Sequence, residues 1–357
     1  MTGIDLPAGT ATGAGSMPGT DPLETARLVV GEVPDLPFLP ELPARGPGAD
    51  MVGRTAGLLV DLAVDLQPSG WRLVPRPGMD LRRAWDFLAR DLDALQEAVD
   101  EFTGVLKVQA AGPWTMASEV ELPRGDKALA DPGAVRDLTA SLTEGLRRHL
   151  ADVRRRVPGA RLVVQIDEPS LPRVLAGRVP TASGYGALAA VEANRAGAAL
   201  SALVDALDAP VLVHCCAADP PIELLRTSGV AGLSLDAALL GERHDEALGE
   251  AVEAGLTLVL GVAAGVDSEL GSADVLADPA RRLWQRLGFP AGDLAATVVL
   301  SPGCGLAGAS PAYARRALAR CREAAARLVE APEPRALSGR SAGDGRDADD
   351  HPRGGPA

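Results

Sequence analysis

The chain has 357 residues, enough for one large α/β barrel or for two ordinary domains. Its formal net charge of -13 argues against a surface for nucleic acid or anionic membrane, because both require clustered positive charge. The composition therefore favours a protein that acts on small molecules.

Cysteine usage and the N-terminus indicate the cellular compartment. Four cysteines in a chain of this length, two of them adjacent, make a poor disulfide framework and favour a reducing environment. Residues 1–5 lack a basic region followed by an apolar core, so no signal peptide is expected. No apolar run approaches the ~20 residues of a membrane helix. We expect a cytoplasmic protein with neither nucleic acid nor membrane as a partner.

Strand and helix patterns alternate along the chain, which is typical of a parallel sheet covered by helices. Strands are expected near residues 11, 36, 106, 162, 211, 232, 256 and 297, each followed by helical sequence. Eight such units predict a single (βα)8 TIM-type barrel with inserted loops over residues 11–330. Residues 1–10 are then an N-terminal extension. Residues 331–357, rich in Pro, Gly, Ser, Asp and Arg, are expected to be a disordered tail.

Two further segments and two histidines have simple interpretations. The pattern of residues 51–66 predicts a helix, and residues 71–75 predict a hairpin or excursion in a long loop rather than a barrel strand. His149 and His244 lie in polar helical or loop sequence, where a solvated side chain is the ordinary explanation.

Three candidate metal ligands follow apolar strands. The run 211–216, Val-Leu-Val-His-Cys-Cys, places His214 and Cys216 on the same face of a strand, because residues alternate faces. Another apolar run, 297–300, leads into a glycine-flanked turn that carries Cys304. Two thiolates and an imidazole suit zinc, and three protein ligands with one open position describe a catalytic site.

The alternative is that these cysteines are core residues. A His-x-Cys pair alone is a weak signal, since free Cys is among the most buried residue types. Placement at strand ends favours the metal for Cys216 and Cys304. Cys215 faces away from Cys216, and Cys321 lies inside the last predicted helix, so a structural role is the simpler interpretation of both.

Other polar residues also follow predicted strands. The apolar strand 161–166 runs into Asp167 and Glu168, which point to opposite sides, so at most one of them faces any given cavity. Asp167 is a candidate substrate contact, with a helix cap or a solvated turn as the alternative. Trp114, on a Gly-Pro turn after the strand 106–110, is either a packing residue or the wall of a substrate pocket.

The N-terminal strands end in similar features. The segment 13–18 contains Gly13 and Gly15, whose exposed backbone N–H groups make Gly15 a candidate substrate contact before a helix that Asp21 caps. A tight strand-to-helix turn explains the same residues. A second short strand ends at Glu41.

Four segments together resemble a known family. Residues 15–18 (Gly-Ser-Met-Pro), residues 165–171 (Gln-Ile-Asp-Glu-Pro-Ser-Leu), His214-x-Cys216 and residues 302–306 (Pro-Gly-Cys-Gly-Leu) occur in the order and at the intervals of the catalytic domain of cobalamin-independent methionine synthase. This domain lies within the uroporphyrinogen decarboxylase-like barrel superfamily. The four motifs together are specific, whereas each alone is not.

The resemblance implies a zinc ion held by His, Cys, Glu and Cys, which binds the homocysteine thiolate that accepts a methyl group. His214, Cys216 and Cys304 match three of these ligands. Asp236 stands about where the family has its Glu, so it is the fourth expected ligand and part of the catalytic set, although its side chain is shorter.

The resemblance also implies a set of contacts to the amino-acid part of homocysteine. Asp167 matches the residue that holds the substrate amino group, and with Asp236 it forms the expected catalytic set. Ser16 matches a contact to the amino-acid part, and Glu41 is expected to be a second acceptor for the amino group.

The methyl donor is less well defined by the resemblance. Full-length enzymes of the family carry an additional N-terminal barrel that helps to bind a polyglutamylated methylfolate, and this chain has room for only one barrel. The family also has a histidine after the seventh strand, thought to assist proton transfer, whereas residues 261–270 contain none. The expected donor is therefore methyltetrahydrofolate, a methylcorrinoid protein or another methyl carrier. The oligomeric state stays open.

Three hypotheses follow. The first is a zinc-dependent methyltransferase that converts homocysteine to methionine. The second is a decarboxylase or lyase of the uroporphyrinogen decarboxylase type, which needs no metal and has an Arg-lined cleft for an acidic substrate. The third is a catalytically degenerate homologue that only binds zinc or an amino acid, suggested by Asp236 and by the missing histidine.

Overall fold

Residues 3–334 are described by a computed structural model. Strands β1 (Ala63–Gln67) and β2 (Gly70–Val74) form an antiparallel hairpin. The main sheet has six parallel strands that neighbour one another in the order of the sequence: β3 (Val105–Ala111), β4 (Arg161–Asp167), β5 (Val211–Cys215), β6 (Gly232–Asp236), β7 (Thr257–Ala263) and β8 (Val298–Pro302). The carboxyl ends of all six therefore lie along one edge.

Helices connect and cover these strands. Within residues 3–334 they are α1 (Pro22–Glu32), α2 (Met51–Ala56), α3 (Met79–Ala98), α4 (Pro113–Glu119), α5 (Pro132–Arg156), α6 (Leu171–Leu175), α7 (Ala193–Ala206), α8 (Ile222–Thr227), α9 (Asp245–Glu253), α10 (Ala273–Leu287), α11 (Leu294–Thr297) and α12 (Pro311–Glu330). None of the helices in this part of the chain is long and apolar enough to cross a bilayer. The cytoplasmic location stays a prediction.

The expected eight-stranded barrel is only partly present. The six strands from β3 to β8 occur where the sequence predicts them, and they form a curled parallel sheet. The strands expected near residues 11 and 36 are instead isolated parallel bridges. These bridges join Ala11 to Leu300, Ser16 to Glu41 and Phe38 to Lys107. The proline-rich sequence around residue 38 cannot supply a continuous ladder of N–H donors.

The predicted helix over residues 51–66 is wrong in its second half. Helix α2 ends at Ala56, and residues 63–67 form β1. Asp61 has a φ of 60°, a left-handed conformation that a right-handed helix cannot include. The hairpin predicted at residues 71–75 is confirmed, and its pairing with β1 explains why this stretch is extended.

The two predicted solvated histidines are buried. His149 lies on the buried face of the amphipathic helix α5, and burial lowers its pKa to about 4. His244 is also buried, and its Nδ1 accepts a hydrogen bond from the backbone N–H of Gly241 at 3.1 Å. Neither environment is visible in the local sequence. The predicted tail begins at residue 331, and residues 335–357 lie outside the described part of the chain.

The two faces of the sheet differ in chemistry. Leu106 and Val108 of β3 belong to the large apolar core that includes the surrounding helices, whereas Val105 belongs to a smaller core on the other face. The smaller core consists of Ile4, Leu36, Val105, Val163, Leu212, Ala231, Val259 and Val299. Lys107 and Gln109 follow Val105 on this inward face. The inward face is therefore apolar toward the amino ends of the strands and polar toward their carboxyl ends.

A buried ion cluster joins α2 to α3. Asp91 of α3 pairs with the guanidinium groups of Arg45 and Arg54, and Arg45 Nη1 lies 2.7 Å from Asp91 Oδ1. The three side chains are at most 8% exposed. The ring of Phe87 covers the Arg45 guanidinium at 4.7 Å. Because water is excluded, each charge depends on its partners for stabilisation.

Replacing Asp91 by Ala is therefore expected to leave two buried cations without a partner. The free energy of unfolding should fall by about 3–5 kcal/mol, measured by urea denaturation. Glu97→Ala in the same helix is the control, since Glu97 pairs with Arg27 and both are more than half exposed. The free energy of unfolding of Glu97→Ala should fall by less than about 1 kcal/mol. Similar losses in the two variants would contradict a stabilising role for the cluster.

Candidate metal centre and amino-group site

Three predicted metal ligands converge at the carboxyl edge of the sheet. His214 lies in β5, Cys216 directly follows it, and Cys304 lies in the turn after β8. One donor atom from each of the three lies within 4.8 Å of the other two. The Sγ atoms of Cys216 and Cys304 are 3.2 Å apart, and both residues are free cysteines.

Glycines allow the turn that carries Cys304 to approach its neighbours. A Cβ on Gly261 would lie 2.3 Å from the Cα of Gly303, so β7 and this turn can meet only without a side chain. A Cβ on Gly305 would likewise lie 1.9 Å from the Oγ of Ser16. The turn is thus packed between the end of β7 and the N-terminal segment.

The orientation of His214 is set by the neighbouring strand. His214 pairs in register with Ser234 of β6, and the Ser234 Oγ lies 2.9 Å from His214 Nδ1. A partner at Nδ1 leaves Nε2 as the nitrogen for a metal. Our sequence reasoning missed Ser234. The alternation of faces in β6 places Ser234 on the same face as Asp236, and this pattern could have identified it.

The two thiols share their protons unequally. A hydrogen bond with Cys216 and another with His214 lower the pKa of Cys304 to about 4. The same bond to Cys304, together with burial, raises the pKa of Cys216. A second thiolate therefore needs a nearby cation. Two sulfurs and one imidazole nitrogen are donors that zinc prefers, so the residues present fit a zinc ion.

Asp236 lies beside this group. Its Oδ1 accepts a hydrogen bond from the backbone N–H of Ala238 at 3.0 Å, which caps a short 3-10 helix. A Cβ on Gly303 would lie 2.9 Å from Asp236 Oδ2, so the carboxylate borders the turn that carries Cys304. The group of donor atoms within 4.8 Å of one another does not include it. Its assignment as the fourth ligand stays a prediction.

Asp167 and Glu168 point to opposite sides of the sheet, as the alternation predicts. Gln165 Nε2 donates to Asp167 Oδ1 at 2.7 Å on the inward face. Glu168 accepts the backbone N–H groups of Trp114 at 2.9 Å and of Thr115 at 2.7 Å, so it caps α4. Burial raises the pKa of Asp167 to about 6, opposed by His214, by Gln165 and by Lys107.

Lys107 is the buried cation of the inward face. Its Nζ donates to Gln165 Oε1 at 2.6 Å and to the carbonyl of Ala14 at 3.3 Å. Burial lowers its pKa to about 8, opposed by Asp167 and Glu41, so the group is mostly protonated at neutral pH. Sequence reasoning missed this residue. The signal was a lysine at an inward position of a fully buried strand.

Glu41 is the second buried carboxylate of the inward face. Gln109 Nε2 donates to Glu41 Oε1 at 3.0 Å, and burial followed by the charge of Asp167 raises the pKa of Glu41 to about 7, opposed by Arg54. Gly15 has a φ of 148°, and a Cβ there would lie 2.8 Å from Gln109 Nε2. A side chain at residue 15 would therefore displace the amide that holds Glu41.

Trp114 lies on the helical side of the sheet. It is 0% exposed, and its Nε1 donates to the carbonyl of Ala196 in α7 at 3.1 Å. Its ring borders a cavity of about 530 Å³ between α5 and α7. This placement accounts for the tryptophan as a packing residue, and its contact to substrate stays a prediction.

Two thiols, an imidazole and two buried carboxylates at one edge of a parallel sheet are an arrangement typical of enzyme sites for small polar molecules. Residues 8–327 match the family model described as "Cobalamin-independent synthase, Catalytic domain". The chain belongs to this family and is a methyltransferase; the family's reaction is methyl transfer to homocysteine. The resemblance drawn from the four motifs is confirmed.

Solved structures support the fold. The B12-independent methionine synthase from Shewanella sp. W3-18-1, solved in complex with selenomethionine, is 14% identical, with a TM-score of 0.62 over 91% of this chain and 98% of that chain. The carboxyl transferase domain of pyruvate carboxylase from Rhizobium etli is 13% identical over 67% of this chain and 44% of that chain; its TM-score of 0.26 is too low to bear on the fold. A comparison with curated proteins found no match.

The raised pKa of Glu41 predicts a pH-dependent stability. The folded protein binds the Glu41 proton more tightly than the unfolded chain, so this group lowers the free energy of unfolding as pH rises from 4.5 to about 7. Glu41→Gln removes the effect. The variant should therefore gain up to roughly 3 kcal/mol over the wild type between pH 4.5 and 8.

Urea denaturation at a series of pH values measures this difference. Glu97→Gln, at an exposed position, is the matched control and should follow the wild type at every pH. A difference between Glu41→Gln and wild type that is constant from pH 4.5 to 8 would show that Glu41 does not titrate in this range.

Proposed function

We propose that this chain methylates the thiol of homocysteine to give methionine and that it uses zinc held by His214, Cys216 and Cys304, with Asp236 as the fourth ligand. The observation that carries the proposal is the convergence of the three donor atoms within 4.8 Å, in a chain that matches the family over residues 8–327. Family membership also favours this reaction over a decarboxylase.

Zinc, when bound, supplies the positive charge that keeps a coordinated substrate thiol deprotonated, whereas a free thiol of pKa ~8.5 is mostly protonated at neutral pH. The protein's own residues prepare the site for this charge. Hydrogen bonds with Cys216 and His214 lower the pKa of Cys304 to about 4, which favours its thiolate form. Ser234 holds the His214 ring in one orientation. The donor set therefore needs little rearrangement to bind a dication.

The amino group of the substrate binds to Asp167 and Glu41. Each carboxylate has one oxygen held by a glutamine amide. Burial makes both easier to protonate, and a bound ammonium would offset this by stabilising the ionised forms. Fixing the ammonium orients the acceptor sulfur, which matters because methyl transfer depends steeply on alignment.

Gly15 and Ser16 contact the amino-acid part of the substrate. Ser16 packs against Gly305, next to Cys304, and is bridged to Glu41. The N-terminal segment therefore lies beside the proposed metal ligands as well as the amino-group acceptors. Selenomethionine in the Shewanella enzyme supports an amino-acid site in this fold, since it has the amino-acid part of methionine.

The fold proposed for this function is a complete (βα)8 barrel over residues 11–330, forming one methyltransferase domain. The bridged segments at Ala11 and Phe38 act as its first two strands, because they pair in parallel with β8 and with β3 respectively. In such barrels the loops after the strands carry the chemistry. The methyl donor is methyltetrahydrofolate or a methylcorrinoid protein.

Metal analysis coupled to product formation tests the proposal. The purified chain should hold about one zinc ion and form methionine from homocysteine with methyltetrahydrofolate or a methylcorrinoid, offered separately. Cys304→Ser should release the zinc and abolish methionine formation, since one of the three convergent donors is lost. Cys321→Ala is the control, because Cys321 is buried in α12. It should keep both properties. Full activity in the metal-free wild type would overturn the zinc role.

A further inference from the structure

Two glutamines on neighbouring strands each hold a carboxylate of the proposed amino-group site. Gln109 of β3 and Gln165 of β4 are partners in register. Gln165 donates to Asp167 Oδ1 at 2.7 Å, and Gln109 donates to Glu41 Oε1 at 3.0 Å. The role of each glutamine depends on which end of its amide faces the carboxylate, because only the NH2 end can donate.

Lys107 fixes the amide of Gln165. Its Nζ donates to Gln165 Oε1 at 2.6 Å, while Gln165 Nε2 donates to the carbonyl of Ala14 at 2.6 Å and to Asp167. A flipped amide would direct its oxygen at two acceptors and its NH2 at an ammonium group. All three contacts would then be repulsive. The lysine therefore determines that an N–H group faces Asp167.

Lys107 is itself fixed by its neighbours and closed off from solvent. Its Nζ lies 5.2 Å from the centroid of the Phe38 ring and donates to Ala14 as well as to Gln165. The side chain is 0% exposed. It can therefore act on a ligand only through the groups it holds.

We propose that Lys107 is a positioning residue that acts through Gln165: it keeps one Asp167 oxygen occupied and the other directed at the ammonium group of the substrate. The proposal rests on the proposed function and adds a positioning residue to it. The site selects sulfur-containing α-amino acids over the same molecules without the amino group.

Calorimetric binding to the purified 357-residue chain tests this selection without a methyl donor. The two probes are L-methionine and 4-(methylthio)butanoate, which differ only in the amino group. The wild type should bind methionine at least about 10-fold more tightly, since hydrogen bonds to charged groups are among the stronger ones. Lys107→Met should reduce that preference to about 3-fold or less by weakening methionine alone.

Two further variants separate positioning from a general loss of structure. Lys127→Met is the matched control, because Lys127 is the only other lysine and donates to the carbonyl of Glu119. It should keep the wild-type preference. Gln165→Met should lose the preference, and the double variant with Lys107→Met should lose no more than either single variant, because both act on one contact.

The outcomes distinguish this inference from the proposed function. A wild type that binds neither probe overturns the proposed function and this inference with it. A wild type that prefers methionine, with the preference unchanged in Lys107→Met, overturns the inference alone. If circular dichroism shows that Lys107→Met is unfolded, Gln165→Met decides, and an unchanged preference there overturns the inference.

Discussion

Burial of two carboxylates and one ammonium on the inward face of the sheet is the constraint on which the site depends. A buried charge is costly unless it is paired and hydrogen bonded. Lys107, Gln109 and Gln165 meet most of this need for Asp167 and Glu41. Arg54 adds a second positive charge that acts on Glu41. The carboxylates that are proposed to bind the substrate ammonium are therefore held by neighbouring protein groups.

The two thiols at the neighbouring strand ends also need a compensating charge. Cys216 and Cys304 can both be thiolates only beside a cation, because the hydrogen bond to Cys304 and burial raise the pKa of Cys216. Their approach is made possible by Gly261 and Gly303, which let two backbone segments meet without side chains. Backbone geometry thus sets the position of the sulfurs, while their electrostatics create the demand for a metal.

Sequence patterns predict the parts of this architecture that are locally encoded. Apolar runs that end in polar residues located β3 to β8, and the convergence of His214, Cys216 and Cys304 follows from the parallel arrangement of those strands. The roles of Lys107 and Gln165 were not predicted, because both residues lie within strands. There, only the alternation of inward and outward positions distinguishes them. The helix predicted over residues 51–66 was too long, because β1 forms only by pairing with β2. No local stretch of sequence contains that contact. Whether the shorter Asp236 reaches the metal depends on distances that residue type alone does not determine.

The segment around Gly15 connects the two halves of the site. The carbonyl of Ala14 accepts hydrogen bonds from Lys107 and Gln165, which belong to the amino-group side. Two residues later, the carbonyl of Ser16 accepts the N–H of Leu306, next to the turn that carries Cys304. Residues 14–16 therefore connect the carboxylates proposed to bind the ammonium with the turn that carries a proposed zinc ligand. In the proposed function this link would select substrates by length, because the substrate must reach from the carboxylates to the metal.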